Sequence, residues 1–263
     1  MTTSLIIDLA QNVSSDDSSI LQSLEIWTNK GMMSSLATNP AVLGATVVLG
    51  DAIMIWFILQ FKHVKFTTSY FRQKNSGWLL LICIPLVYTV CYLLGVLSDW
   101  ASLPNMLEQQ FVDMSHNVWG ILSICVAAPV CEELMFRGAI EGRMLRDGWK
   151  PWVAIATSAL CFGLIHINPA QVPFAFLIGC LFGWLRWKTG SIVPGILGHM
   201  LNNTVSCILM FFYGNDVISL KERAGDAVQP YIWAAYAVIA AVCTWAIVKK
   251  IPFERNLSES TDV

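Results

Sequence analysis

Two adjacent glutamates, Glu132 and Glu133, followed by Arg137, sit in an otherwise apolar stretch of this 263-residue chain. An ionisable side chain at membrane depth costs on the order of 3 kcal/mol, so it marks a candidate site. Neighbouring helix residues point about 100° apart, so the two carboxylates cannot share one role. Glu133 and Arg137 are four apart with the acid N-terminal, the favourable order for a helical ion pair. That pairing neutralises Glu133 and leaves Glu132 without a sequence-local partner, available as a general base. The competing reading makes Glu132, Glu133 and Arg137 a buried ion-pair network that only fixes helix packing. Pro129, just upstream, frees the Cys125 carbonyl and predicts a kink able to open a polar cavity.

Two histidines lie in other apolar stretches. His166 closes Phe162-x-x-x-His166, and His199 opens His199-x-x-x-Asn203. His199 and Asn203 share one helix face and can direct two hydrogen bonds at one point. Prearranged donors of that kind suit a developing oxyanion in a dry site. Asn202 points away and reads as structural, while His63 and His116 fall in connections. For each intramembrane histidine, a satisfied core residue is the alternative. Asp51, at the centre of the first apolar stretch, reads as an acid facing a water-filled cavity or a hydrogen-bonding neighbour helix rather than as a catalytic part.

Groups so placed require membrane-spanning helices to hold them, and the composition agrees. Charged residues make up 13% of the chain, 16 basic and 18 acidic, against about 25% in a soluble domain. Seven apolar stretches approach the roughly 20 residues needed to span a bilayer: 41–61, 78–98, 117–137, 150–168, 170–187, 190–213 and 229–248. The expected fold is all-α: a polytopic transmembrane bundle of about seven spans with one or two interfacial helices. Residues 102–114 are one interfacial candidate, with an N-cap at Ser102 and Leu103, Leu107, Phe111 and Met114 on one face; residues 20–36 are the other, and a packed polar loop is the alternative for both. Thirteen of the sixteen basic residues fall on alternate connections: Lys62, Lys65, Arg72, Lys74; Arg137, Arg143, Arg146, Lys150; Arg186, Lys188; Lys249, Lys250, Arg255. The positive-inside rule then puts the N-terminus outside and the C-terminus in the cytoplasm, in a cell or inner membrane. No positive n-region precedes an apolar core at the start, so no secretory signal is expected. The eight cysteines all lie in apolar stretches and read as small buried hydrophobes, not a disulfide framework. A net charge of −2 offers no basic field for phosphates, which argues against nucleic acid as a partner. One integral membrane domain, 1–263, is expected, with an extracytoplasmic segment 1–40 and a cytoplasmic tail 250–263.

The ordered set Glu132-Glu133-x-x-x-Arg137, Phe162-x-x-x-His166 and His199-x-x-x-Asn203, on three hydrophobic segments, resembles the CPBP family of intramembrane proteases. That family includes the CAAX prenyl proteases and the bacteriocin-processing and self-immunity (Abi) proteins. The resemblance spans about residues 115–213, the expected catalytic core. It implies an endopeptidase in which Glu132 activates water, His166 holds that water, and His199 with Asn203 stabilises the oxyanion. Glu133 and Arg137 take a supporting role. The implied partners are membrane lipids and a membrane-associated protein or peptide substrate, whose lipidation stays open.

Glu132, His166 and His199 also make up a two-imidazole, one-carboxylate set of the kind that holds Zn²⁺ with a position open for water. No H-E-x-x-H spacing is present, and Arg137 occupies the only spare carboxylate, so a metal-independent glutamate protease is preferred over a metalloendopeptidase. A proton- or ion-coupled solute transporter using Asp51, Glu132, His166 and His199, and a non-catalytic membrane regulator with the same fold, are the competing functions.

Overall fold

The computed structural model describes residues 39–60, 76–214 and 227–250. The expected interfacial segment 20–36, the basic residues Lys62, Lys65, Arg72, Lys74 and Arg255, His63, and most of the two terminal segments lie outside the described residues. Everything described is helix or connection. In chain order the helices are α1 (Pro40–Gln60), α2 (Ser76–Ala101), α3 (Glu108–Ser115), α4 (Val118–Arg146), α5 (Pro151–Leu164), α6 (Gln171–Thr189), α7 (Val193–Tyr213) and α8 (Gln229–Lys250).

Five of these, α1, α2, α4, α7 and α8, are long and apolar enough to cross a membrane. Among the described residues the expected count of about seven spans is not confirmed. Helix α5 has 14 residues, about 21 Å at 1.5 Å per residue, against a hydrocarbon core of about 30 Å. Helix α6 runs for 19 residues but closes on Arg186 and Lys188, which dilute its apolar character. The two pack side by side as a hairpin against the middle of the molecule.

Helix α4 is the central element. It touches α1, α3, α5, α6 and α7, and it is the most enclosed of the five long helices. The main apolar core joins α2, α4, α5, α6 and α8 through Leu86, Val87, Phe136, Phe162, Ile178, Phe182, Leu185 and Ile247. Outward-facing Leu49, Trp56, Leu81, Trp152, Phe212 and Trp245 stay exposed, as a surface solvated by lipid tails requires. Where helix backbones come closest, glycine permits it: a Cβ on Gly44 of α1 would lie 2.5 Å from the Trp119 carbonyl carbon of α4.

Side-chain contacts fix which helix ends lie together. Trp100 at the end of α2 meets Trp233 near the start of α8 edge-on at 5.3 Å, and at the opposite end Lys250 sits 5.8 Å from the Trp78 ring. Asn168, in the α5–α6 turn and almost fully buried, accepts the Met106 N–H at 3.1 Å and donates to Asn105 at 2.7 Å. The turns following α2 and α5 therefore share one end of the bundle, as alternating connections demand.

The expected helix over 102–114 is corrected. Ser102 adopts a left-handed φ of 48° as its N–H closes the last turn of α2, and the next helix starts only at Glu108. Ser102 is a stop rather than an N-cap. The short helix that does form buries Val112, Met114 and Ser115 against the bundle.

Candidate active site

The glutamate-bearing helix is irregular on both sides of Glu132 and Glu133. Residues Ser123–Ala127 and Leu134–Glu141 are π-helical, and only Ala128–Glu133 between them is regular α-helix. The first irregularity follows from Pro129, which has no N–H to give the Cys125 carbonyl. The register widens, and the Ala128 N–H reaches back to Ser123 O. In a regular helix that N–H would bond Ile124 O. Ile124 O is instead met by Asn203 of α7, whose Nδ2 donates to it at 3.0 Å. In the second π stretch, the fully buried Ser158 of α5 donates its hydroxyl to Phe136 O at 2.8 Å. Each distorted stretch is thus supported by a polar side chain from a neighbouring helix, and π turns of this kind recur at functional sites.

The two carboxylates face different surroundings. Glu133 is sealed, with zero side-chain exposure, and its Oε1 lies 2.9 Å from Arg137 Nη1. Arg137 is equally buried, its guanidinium 4.3 Å from the centre of the Phe162 ring. Glu132 keeps 21% side-chain exposure. Both meet at His199. The His199 Nε2 lies 3.6 Å from Glu132 Oε2 and its Nδ1 lies 3.4 Å from Glu133 Oε1. The ring stacks on Phe182 at 5.4 Å and meets Phe162 edge-on at 5.6 Å, so its plane is held by aromatics and its edges by carboxylates.

His166 lies in the turn just past the end of α5, beyond the helix in which it was expected. Its Nδ1 is 2.8 Å from the Phe162 carbonyl, which can only accept. The Nδ1 therefore carries a proton, and in the neutral ring Nε2 is the lone-pair acceptor. His166 and His199 are both Coulombic neighbours of Glu132, as is Asp51. Asp51 accepts a hydrogen bond from the Cys131 thiol, which matches the neighbour-helix reading of the two given for it.

Asn203, one helical turn on from His199, is held by two hydrogen bonds. One N–H goes to Ile124 O, and its Oδ1 accepts from Asn202 Nδ2 at 3.1 Å, leaving one amide N–H for other use. Asn202, read as structural, orients its neighbour. Among the described residues, no group of three His, Cys, Asp or Glu side chains is placed to hold a metal ion, so Glu132, His166 and His199 do not form a coordination set as they stand.

Sequence reasoning passed over Glu141. It was counted within a basic connection, yet it is fully buried on α4 with Arg137 and Arg186 as its countercharges. The available signal was spacing: Glu133, Arg137 and Glu141 follow one another at intervals of four. Glycines make their room. A Cβ would approach Glu133 Oε2 to 2.6 Å at Gly195, Arg137 Nη2 to 2.9 Å at Gly179, and Glu141 Oε2 to 2.6 Å at Gly183.

Fold and site together define a helical integral membrane protein with a buried glutamate–histidine–arginine cluster. Residues 114–205, about a third of the chain, match the family described as Rce1-like, type II CAAX prenyl endopeptidase Rce1-like. The matched segment contains all seven motif residues, and it bears out the resemblance to the CAAX-type proteases. At family level it supports a CAAX-type intramembrane protease, a hydrolase acting on a membrane-associated substrate. Comparison with curated proteins and with solved structures found no match.

Proposed function

We propose that the chain is an intramembrane endopeptidase that hydrolyses a peptide bond of a membrane-associated protein or peptide with a water activated by Glu132. One observation carries this reading: His199 is held between a partly exposed carboxylate and a sealed one, within the segment that matches the family. Glu132 takes a proton from water, and the hydroxide oxygen adds to the substrate carbonyl carbon. The acceptor Nε2 of His166 orients that water. The oxyanion so formed is held by an N–H of His199 and the remaining amide N–H of Asn203. Collapse breaks the C–N bond, and the leaving amine takes the proton back from Glu132. Glu133, neutralised by Arg137, fixes the edge of the His199 ring.

The catalytic core is residues 115–213 of a single integral membrane domain, with the N-terminus outside and the C-terminus in the cytoplasm. The family's description points to a prenyl group near the cleaved bond; a membrane-associated substrate without one is the alternative. The test is cleavage of a CAAX peptide, prenylated and unprenylated, by purified protein in liposomes. Wild type cleaves, and Glu132→Ala and His166→Ala, folded and membrane-inserted, do not. Full activity in both variants would overturn the reading.

A further inference from the structure

The turn that carries His166 has a backbone its own residues resist. Ile167, the next residue, has a φ of 59° and is 84% exposed. A β-branched side chain in the left-handed region crowds its own backbone, and at this exposure it gains little packing in return. Around Ile167 the Asn168 N–H closes a tight turn on the His166 carbonyl, two residues back. Such a backbone persists only where its surroundings over-determine it.

The constraint comes from a distant part of the chain. The Asn168 side chain is almost fully buried and turns both polar ends to the α2–α3 connection: Oδ1 accepts the Met106 N–H at 3.1 Å, and Nδ2 donates to Asn105 Oδ1 at 2.7 Å. The Asn168 carbonyl accepts the N–H groups of Gln171 and Val172, which ties the same residue to the start of α6. On the other side of Ile167, His166 is fastened to α5 by its backbone N–H, 3.2 Å from Gly163 O, and by Nδ1, 2.8 Å from Phe162 O. One strained residue therefore separates a buried anchor from the imidazole that orients water in the proposed mechanism.

We infer that Asn168 is a positioning residue for His166: held by Asn105 and the Met106 N–H, it fixes the strained turn and with it the direction of the Nε2 lone pair. Its effect on turnover rests on the peptidase reading; its effect on the ring does not. Without the Asn168 amide, Ile167 relaxes toward negative φ, the turn swings, and the bond from His166 Nδ1 to Phe162 O loosens. Glycine takes positive φ without steric cost, so a glycine at 167 makes the clamp less necessary.

The experiment uses full-length protein in liposomes and the prenylated and unprenylated CAAX peptides. Asn168→Ala lowers kcat by about ten- to a hundredfold, the scale of a small misplacement at a reacting centre, with KM within about twofold. Ile167→Gly alone keeps wild-type turnover, and combined with Asn168→Ala it recovers part of the loss. Asn105→Asp, which keeps the acceptor oxygen, retains more activity than Asn105→Ala; this pair makes the same comparison should Asn168→Ala fail to fold. In ¹⁵N-histidine-labelled protein the side-chain signal of His166, assigned by its loss in His166→Gln, moves in Asn168→Ala and returns toward its wild-type position in the double variant. A role confined to joining the two connections gives another pattern: activity falls only as stability falls, the His166 signal stays in place, and Ile167→Gly restores nothing. An unmoved signal or an absent recovery overturns the inference. Should wild type cleave neither peptide, the peptidase reading fails by itself, and the His166 signal decides this one: moved by Asn168→Ala and restored by Ile167→Gly supports it, and any other result refutes it.

Discussion

Replacing Arg137 by Met tests whether the centre of this molecule is held electrostatically. Arg137 and Glu133 have zero exposure and lie 2.9 Å apart, with Glu141 as the second sealed carboxylate. Methionine keeps much of the contact with Phe162 and Phe182 but leaves both acids without this cation. Breaking a buried pair by removing one partner costs about 3–5 kcal/mol, because a charge is left uncompensated. At about 1.4 kcal/mol per factor of ten, the folded population falls by roughly 10² to 10⁴ relative to the unfolded. Losing the cation–π contact, 4.3 Å from the Phe162 centroid, works in the same direction. The double variant Arg137→Met, Glu133→Gln is less destabilised than the sum of its parts, by about 1–3 kcal/mol. The assay is reversible unfolding in mixed micelles followed by tryptophan fluorescence for the four members of the cycle. A single-variant cost below about 1 kcal/mol, or strict additivity, would show that Glu133 does not depend on Arg137.

Three shorter expectations follow from named contacts. Gly195→Ala sets a Cβ 2.6 Å from Glu133 Oε2, while Gly50→Ala meets nothing within 4 Å; the first loses about 1–3 kcal/mol and most activity, the second neither, read by melting and peptide cleavage. Asn203→Ala strips the donor from Ile124 O and costs about 1–3 kcal/mol, whereas Asn202→Ala, which removes only the orienting bond to Asn203, costs less; equal melting temperatures for Asn203→Ala and wild type would contradict this. Because Glu132, His166 and His199 do not form a coordination set, cleavage persists after exhaustive chelation, and loss of activity restored by added zinc would refute the metal-free mechanism.

What could be read from the sequence was local. The Glu133–Arg137 pair follows from helical spacing alone, and it forms at 2.9 Å. The disturbance near Pro129 follows from one missing N–H, although the widened π register and its support by Asn203 depend on a second helix. His199 between two carboxylates was not readable, because it depends on how α7 packs against α4. The burial of Glu141 was hidden for a related reason. Hydropathy falls after Arg137 and suggests that the span has ended, yet α4 continues to Arg146 because Gly179 and Gly183 leave room for charged side chains. Length deceived in the opposite direction at α5. Its apolar run extends past the helix end at Leu164, so His166 was placed in a span and lies in a turn.

The division of labour between adjacent glutamates explains why a membrane protein would keep both. Either one alone is a compromise: a carboxylate exposed enough to meet water is poorly fixed, and one sealed in protein is fixed but cannot reach water. Their roughly 100° separation on α4 resolves this, turning Glu132 toward partial exposure and Glu133 toward Arg137. His199 then joins the two environments, because an imidazole has a polar atom on each edge and can touch both carboxylates at once. Exchanging the roles is not a conservative change. Glu132→Gln keeps the Glu133–Arg137 pair and the fold, and it removes the only partly exposed carboxylate of the pair. Glu133→Gln leaves Glu132 in place but frees Arg137 and one edge of His199, so stability falls with activity. A melting temperature lowered in Glu132→Gln and unchanged in Glu133→Gln would reverse that assignment.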